Sequence, residues 1–158
     1  MYKILFLLFI SLFFVSCSTK NNAFKYFEKD DIETKAIQYT KKTDILKDNE
    51  VDIIFLATYL SKVDKKVFDT EEELFLVSVY FTNKESQDIF ENNYSFLLNE
   101  VSPILVEKVE RDDENLKSLM LKNSWGNYYL VKFNPQDTYK LNLKLTNKSS
   151  SAQLNFEK

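Results

Sequence analysis

The chain has 158 residues, 21 basic and 24 acidic side chains, a net charge of −3, one cysteine, one glycine and no histidine. Without histidine there is no His-based triad, no imidazole general base and no His-ligated zinc, and a single glycine, Gly126, excludes glycine-rich phosphate loops. The mild acidic balance, the mixing of lysines with carboxylates and a lone arginine, Arg111, argue against nucleic acid as a partner.

The first element is a leader. Lys3 supplies one positive charge, and Ile4 to Val15 is apolar except for Ser11. A short basic start, an apolar core and small residues make the tripartite layout of a secretory signal. The apolar run of about twelve residues is shorter than the roughly 20 a spanning helix needs. It ends in Phe14-Val15-Ser16-Cys17, which resembles the lipobox of bacterial lipoprotein precursors, with Phe14 where leucine is commonest. The resemblance covers only the leader. It implies that the Cys17 sulfur carries diacylglycerol, that signal peptidase II cuts between Ser16 and Cys17, and that the new amino terminus can be acylated. Residues 1–16 are then a signal peptide, and residues 17–23 a lipidated tether whose membrane partner is the bilayer itself. Each buried CH₂ of the lipid contributes roughly 0.8 kcal/mol, so two or three chains hold firmly. Cys17 is the only cysteine, so no intramolecular disulfide can form and alkylation closes thiol catalysis. By resemblance to the best-known sorting system, Ser18 in place of Asp points to the outer membrane of the cell envelope rather than the inner one.

Residues 24–158 are expected to be a single globular domain, a helix over 24–47 followed by a β-sandwich over 50–158. Ile32, Ala36, Tyr39 and Leu46 lie close to a 3.6-residue repeat, with Phe24 and Phe27 slightly out of phase and a bend near Asp30-Asp31. Val51–Leu60 is apolar on both faces and reads as a central strand. Leu74–Thr82 alternates, with Phe75, Val77, Val79 and Phe81 on one side. Tyr94–Leu98 and Ile104–Val109 are further strands. Leu119–Lys122 and Tyr128–Asn134 flank Ser124-Trp125-Gly126-Asn127, which reads as a hairpin turn using the one glycine for positive φ. Tyr139, Leu141, Leu143 and Leu145 face one way, the polar turn Asn147–Ser151 follows, and Ala152, Leu154 and Phe156 alternate beyond it. Asp137-Thr138-Tyr139 resembles the tyrosine corner of immunoglobulin-like sandwiches, without their cysteine pair. The expected fold is therefore mainly β: an antiparallel immunoglobulin-like β-sandwich preceded by an N-terminal amphipathic helix.

Few residues are candidates for a site. Trp125 and Tyr128 beside the glycine turn are candidate contacts for a ligand or partner, while Tyr129 reads as packing. The runs Glu71-Glu72-Glu73 and Asp112-Asp113-Glu114 lack the spacing of a calcium loop and read as solvated. Asn93 heads the sequon Asn93-Tyr94-Ser95 with Glu91 before it, resembling a bacterial periplasmic glycosylation acceptor; Asn147-Lys148-Ser149 is a second sequon. No metal or cofactor is expected and no catalytic constellation stands out. The expectation is a non-enzymatic, lipid-anchored interaction or assembly module of the cell envelope with a protein partner. The alternative is an envelope lipoprotein that binds glycan or lipid.

Overall fold

A tight hairpin opens the sheet. Asp48 and Asn49 both have positive φ, 53° and 66°, the backbone a two-residue type I′ turn demands. They join β1 (Thr40–Lys47) to β2 (Glu50–Tyr59), paired from Thr40↔Thr58 to Lys47↔Glu50. The computed structural model describes residues 31–65, 67–68, 70–121 and 125–158. The leader, Ser16, Cys17 and the tether lie outside these residues.

Of the expected helix, the described residues form α1 over Asp31–Gln38. Residues 40–47 are strand, and residues 24–30 lie outside the described part. The reason is local and tertiary together. Thr40 and Thr43 are β-branched, the two-residue turn forces a return, and β2 offers a hydrogen-bonding edge. Ile45 faces the core at 6 % exposure, while Lys41 lies across Phe156 with its Nζ 5.4 Å from the ring centre. An edge strand rich in lysine carries little apolar periodicity, which is why it reads ambiguously.

Beyond β2 come the single-turn α2 (Leu60–Val63), β3 (Glu73–Phe81), β4 (Ser95–Leu98), β5 (Leu105–Val109), β6 (Asn127–Phe133), β7 (Lys140–Thr146) and β8 (Ser151–Glu157). Two antiparallel sheets result, one ordered β1-β2-β3-β6-β5 and the other β4-β7-β8. The strand expectations for β2 to β8 agree with this to within a residue or so at each end. The exception is the hairpin built on Leu119–Lys122. Since β6 already has β3 and β5 on its two sides, it has no free edge for those residues. The described part, residues 119–121, forms no strand and continues a turn that begins at Asp113, whose Oδ1 accepts the backbone N–H groups of Asn115 and Leu116, both at 2.9 Å; Leu116 and Leu119 are buried.

The two sheets lie face to face around one core. Phe55, Phe75, Val77, Tyr129 and Phe133 from the larger sheet meet Phe96, Leu141, Leu143, Leu154 and Phe156 from the smaller. Full burial of one such side chain contributes about 1.5–3 kcal/mol. β3 is buried on both faces. Phe75, Val77, Val79 and Phe81 point inward, while Leu74 and Leu76 join a second apolar cluster on the outer face with Ala36, Leu60, Val63, Leu116 and Leu119. The helices and the 113–121 segment roof part of the larger sheet. The expected tyrosine corner is absent. Tyr139 is 61 % exposed and its hydroxyl lies 3.5 Å from Glu157 Oε2, so it returns no bond to the backbone before it.

Candidate functional site

The register divides the molecule into two ends. At one, β2 runs into α2, β3 begins at Glu73, and β8 ends beside Tyr139. At the other, the turns 48–49, 82–94 and 147–150 gather with residue 110 and with 125–126, since Val79 pairs with Asn127, Val109 with Tyr128, Ser95 with Thr146 and Thr146 with Ser151.

The first end is closed by a charge cluster. Glu73, 3 % exposed, accepts a hydrogen bond from the Tyr59 hydroxyl at 2.6 Å on one oxygen. Its other oxygen takes Lys158 Nζ at 2.5 Å and the Gln136 N–H at 3.3 Å. Lys158 Nζ also donates to the Gln136 carbonyl. Burial, reinforced by the adjacent Glu73 carboxylate, holds the Tyr59 phenol well above its ordinary range. The acidic run expected to be solvated therefore splits: Glu71 is exposed, Glu72 approaches Lys132 at 3.8 Å, and Glu73 is core. The available signal was its place directly ahead of the apolar run Leu74-Phe75-Leu76-Val77, because a carboxylate that starts a strand enclosed on both faces needs partners. In the second run, Asp113 spends a carboxylate oxygen on backbone N–H groups. Among the described residues no group of three or more acidic, histidine or cysteine side chains is placed to hold a metal ion.

Trp125 lies at the second end and is 58 % exposed. Its ring sits beside Tyr80, 6.0 Å between centres and inclined by 42°. Its backbone is held: Arg111 donates to the carbonyls of Trp125 at 3.0 Å and Gly126 at 2.8 Å, with its guanidinium 5.6 Å from the centre of the Tyr128 ring. Gly126 has φ +70°, and a Cβ there would meet the Val79 carbonyl oxygen at 2.4 Å, so this position needs glycine twice over. The lone arginine thus acts as a staple for the turn that presents Trp125.

Tyr128 is not a contact residue. It is 4 % exposed, packs in the outer-face cluster and donates to the Leu121 carbonyl at 3.3 Å. Alternation along β6 explains the difference: Tyr128 faces the covered outer side and Tyr129 the inner core, whereas Trp125 precedes the strand. Tyr129 is fully buried, its hydroxyl accepting the Ile89 N–H at 3.1 Å. Burial raises the pKa of both phenols.

Asn93 is exposed at φ 58° in the 82–94 turn, and Ser95 two residues on is exposed as well, so this sequon is accessible. Asn147 belongs to the same end, but its Oδ1 is committed to its own turn, accepting the N–H groups of Ser149 at 2.9 Å and Ser150 at 2.7 Å. Sequence reading found Asn93 and Trp125 separately; their common end is a product of the register. Phe90, 57 % exposed beside Asn93, was missed because a single aromatic in a polar turn has no periodicity to betray it. Compared with protein families, with curated proteins and with solved structures, the chain matches none.

Proposed function

We propose that this chain is a non-enzymatic lipoprotein of the bacterial cell envelope, anchored through Cys17, whose folded part binds a protein partner with the surface around Trp125. The observation that carries the reading is an exposed tryptophan on a turn pinned by Arg111, because tryptophan is prominent among the anchors of protein interfaces and a fixed backbone lowers the entropy cost of binding. The filled core between the sheets leaves ligand binding to the surface grooves.

The fold belongs to the same proposal. We infer an immunoglobulin-like sandwich with one strand added. The orders β2-β3-β6-β5 and β4-β7-β8 correspond to the ABED and CFG sheets of the constant-type domain, and β1 extends the first sheet. An experimental structure pairing β5 with β4 instead of β6 would replace this topology. In such sandwiches loops cluster at the two ends, which fits a contact surface there but does not name a partner.

Two measurements test the function. Labelled palmitate should enter the wild-type protein in cells and be absent from Cys17→Ser; incorporation into that variant removes the anchor. Crosslinking in native cells followed by mass spectrometry should recover a partner with wild type and lose it with Trp125→Ala, whose thermal melt should match wild type. Equal recovery with both would dismiss Trp125 as the anchor point.

A further inference from the structure

We infer that the groove beside Asn93 is a binding site for a neutral saccharide, built from the Phe90 ring and the half-used amides of Asn92 and Asn147. The groove is shallow and open, with a volume of about 630 Å³, and is lined by these residues with Asn93, Tyr94 and Ser149, Lys148 being its one charge. Phe90 is exposed yet supported: its ring meets the buried Tyr129 ring edge to face, 6.5 Å between centres at 90°.

The amides are oriented by what they already bind. Asn92 Nδ2 donates to the carbonyls of Ser86 at 2.9 Å and Asp88 at 2.8 Å, so the amide cannot be reversed and Oδ1 is the end left over. Asn147 is fixed the other way. Its Oδ1 accepts two backbone N–H groups and the hydroxyls of Ser149 at 3.2 Å and Ser150 at 3.1 Å, which leaves Nδ2. Among the described residues neither leftover atom has a partner, and neither has the Asn93 amide. The residues that line the groove thus carry one oriented acceptor, one oriented donor and one adaptable amide beside an exposed aromatic ring.

That set matches the chemistry of a sugar. Each hydroxyl both donates and accepts, so neighbouring hydroxyls of a pyranose can engage an amide oxygen and an amide N–H together, while the C–H face of the ring covers an aromatic surface. Fixing both amides in advance reduces the ordering cost of binding. A strongly charged ligand finds only Lys148, and an extended peptide finds turn side chains rather than a strand edge. The assignment stands whether or not Cys17 is lipidated, and Trp125 takes no part in it.

The test uses the full chain, made in a host without N-linked glycosylation so that Asn93 is bare, and held in a sugar-free detergent. Saturation-transfer difference spectra are recorded with maltotriose, cellotriose and chitotriose. At least one should receive saturation, with affinity in the roughly millimolar range for so small a contact. Phe90→Ala should weaken it about tenfold. Asn93→Gly, which keeps the positive φ while removing the amide, should weaken it about threefold. Trp125→Ala should leave it unchanged. The assignment is overturned if none of the three sugars receives saturation, if Phe90→Ala and Asn93→Gly both bind like wild type, or if Trp125→Ala alone abolishes binding.

Discussion

The two ends of the sheets handle polar groups in opposite ways. At the Glu73 end, carboxylate, phenol, ammonium and backbone N–H satisfy one another and the cluster closes on itself. At the turn end, Asn92 and Asn147 are each half satisfied, Asn93 is free among the described residues, and Phe90 and Trp125 face outward. Self-satisfaction makes stability, because a buried charge with all its partners cannot be disturbed without exposing an unpaired one. Partial satisfaction on a fixed backbone makes a surface ready to bind. On the reading proposed above, the difference separates where this molecule holds together from where it meets something else.

The largest effect should come from opening the closed end. Lys158→Met leaves Glu73 buried with its phenol and one N–H, and should cost about 3 kcal/mol, at the low end for a broken buried pair because Lys158 is partly exposed. Urea unfolding measures it. Adding Glu73→Gln should restore part of the loss, since the unpaired charge is then gone; a double variant no better than the single would deny that the pair acts as a unit.

Next is the turn end, where the contrast predicts a rigid backbone under an open surface. Gly126→Ala should cost about 2 kcal/mol through the positive φ and the clash with the Val79 carbonyl. A neutral result in the same unfolding assay would mean that the Trp125 turn is soft.

The smallest effect is the alkaline response. Tyr59, Tyr128 and Tyr129 are held above their ordinary value of 10.0, so the folded protein keeps phenolic protons that the unfolded chain gives up. Their stabilisation is complete below about pH 10 and falls as pH rises beyond it. Tyr59→Phe should lessen the loss of stability between about pH 8 and pH 11 by about 1 kcal/mol. An unchanged loss would remove Tyr59 from the closed end's protonation.

Sequence was most legible where one face is buried and the other wet. β7 and β8 follow their alternation to the residue, because a one-residue slip would turn every leucine to solvent. β1 was illegible as a strand, since its lysines break the apolar alternation and Lys41 lies over Phe156 instead, although Asp48-Asn49 carried the turn signal. Leu119 was misread because its apolar neighbours report burial, not whether an edge is free to pair. Tyr128 and Trp125 looked alike as neighbouring aromatics and were separated only by strand phase.

By itself, the sequence determined a mainly β chain without histidine, its main strand periods, the turn glycine, and the lipobox resemblance at Cys17, because these depend on residue type and local spacing. Tertiary structure decided which strands pair, that Glu73 is buried, that Arg111 staples the Trp125 turn, and that Phe90, Asn93 and Asn147 share one end. Those facts depend on contacts between residues far apart in the chain, which no local pattern encodes.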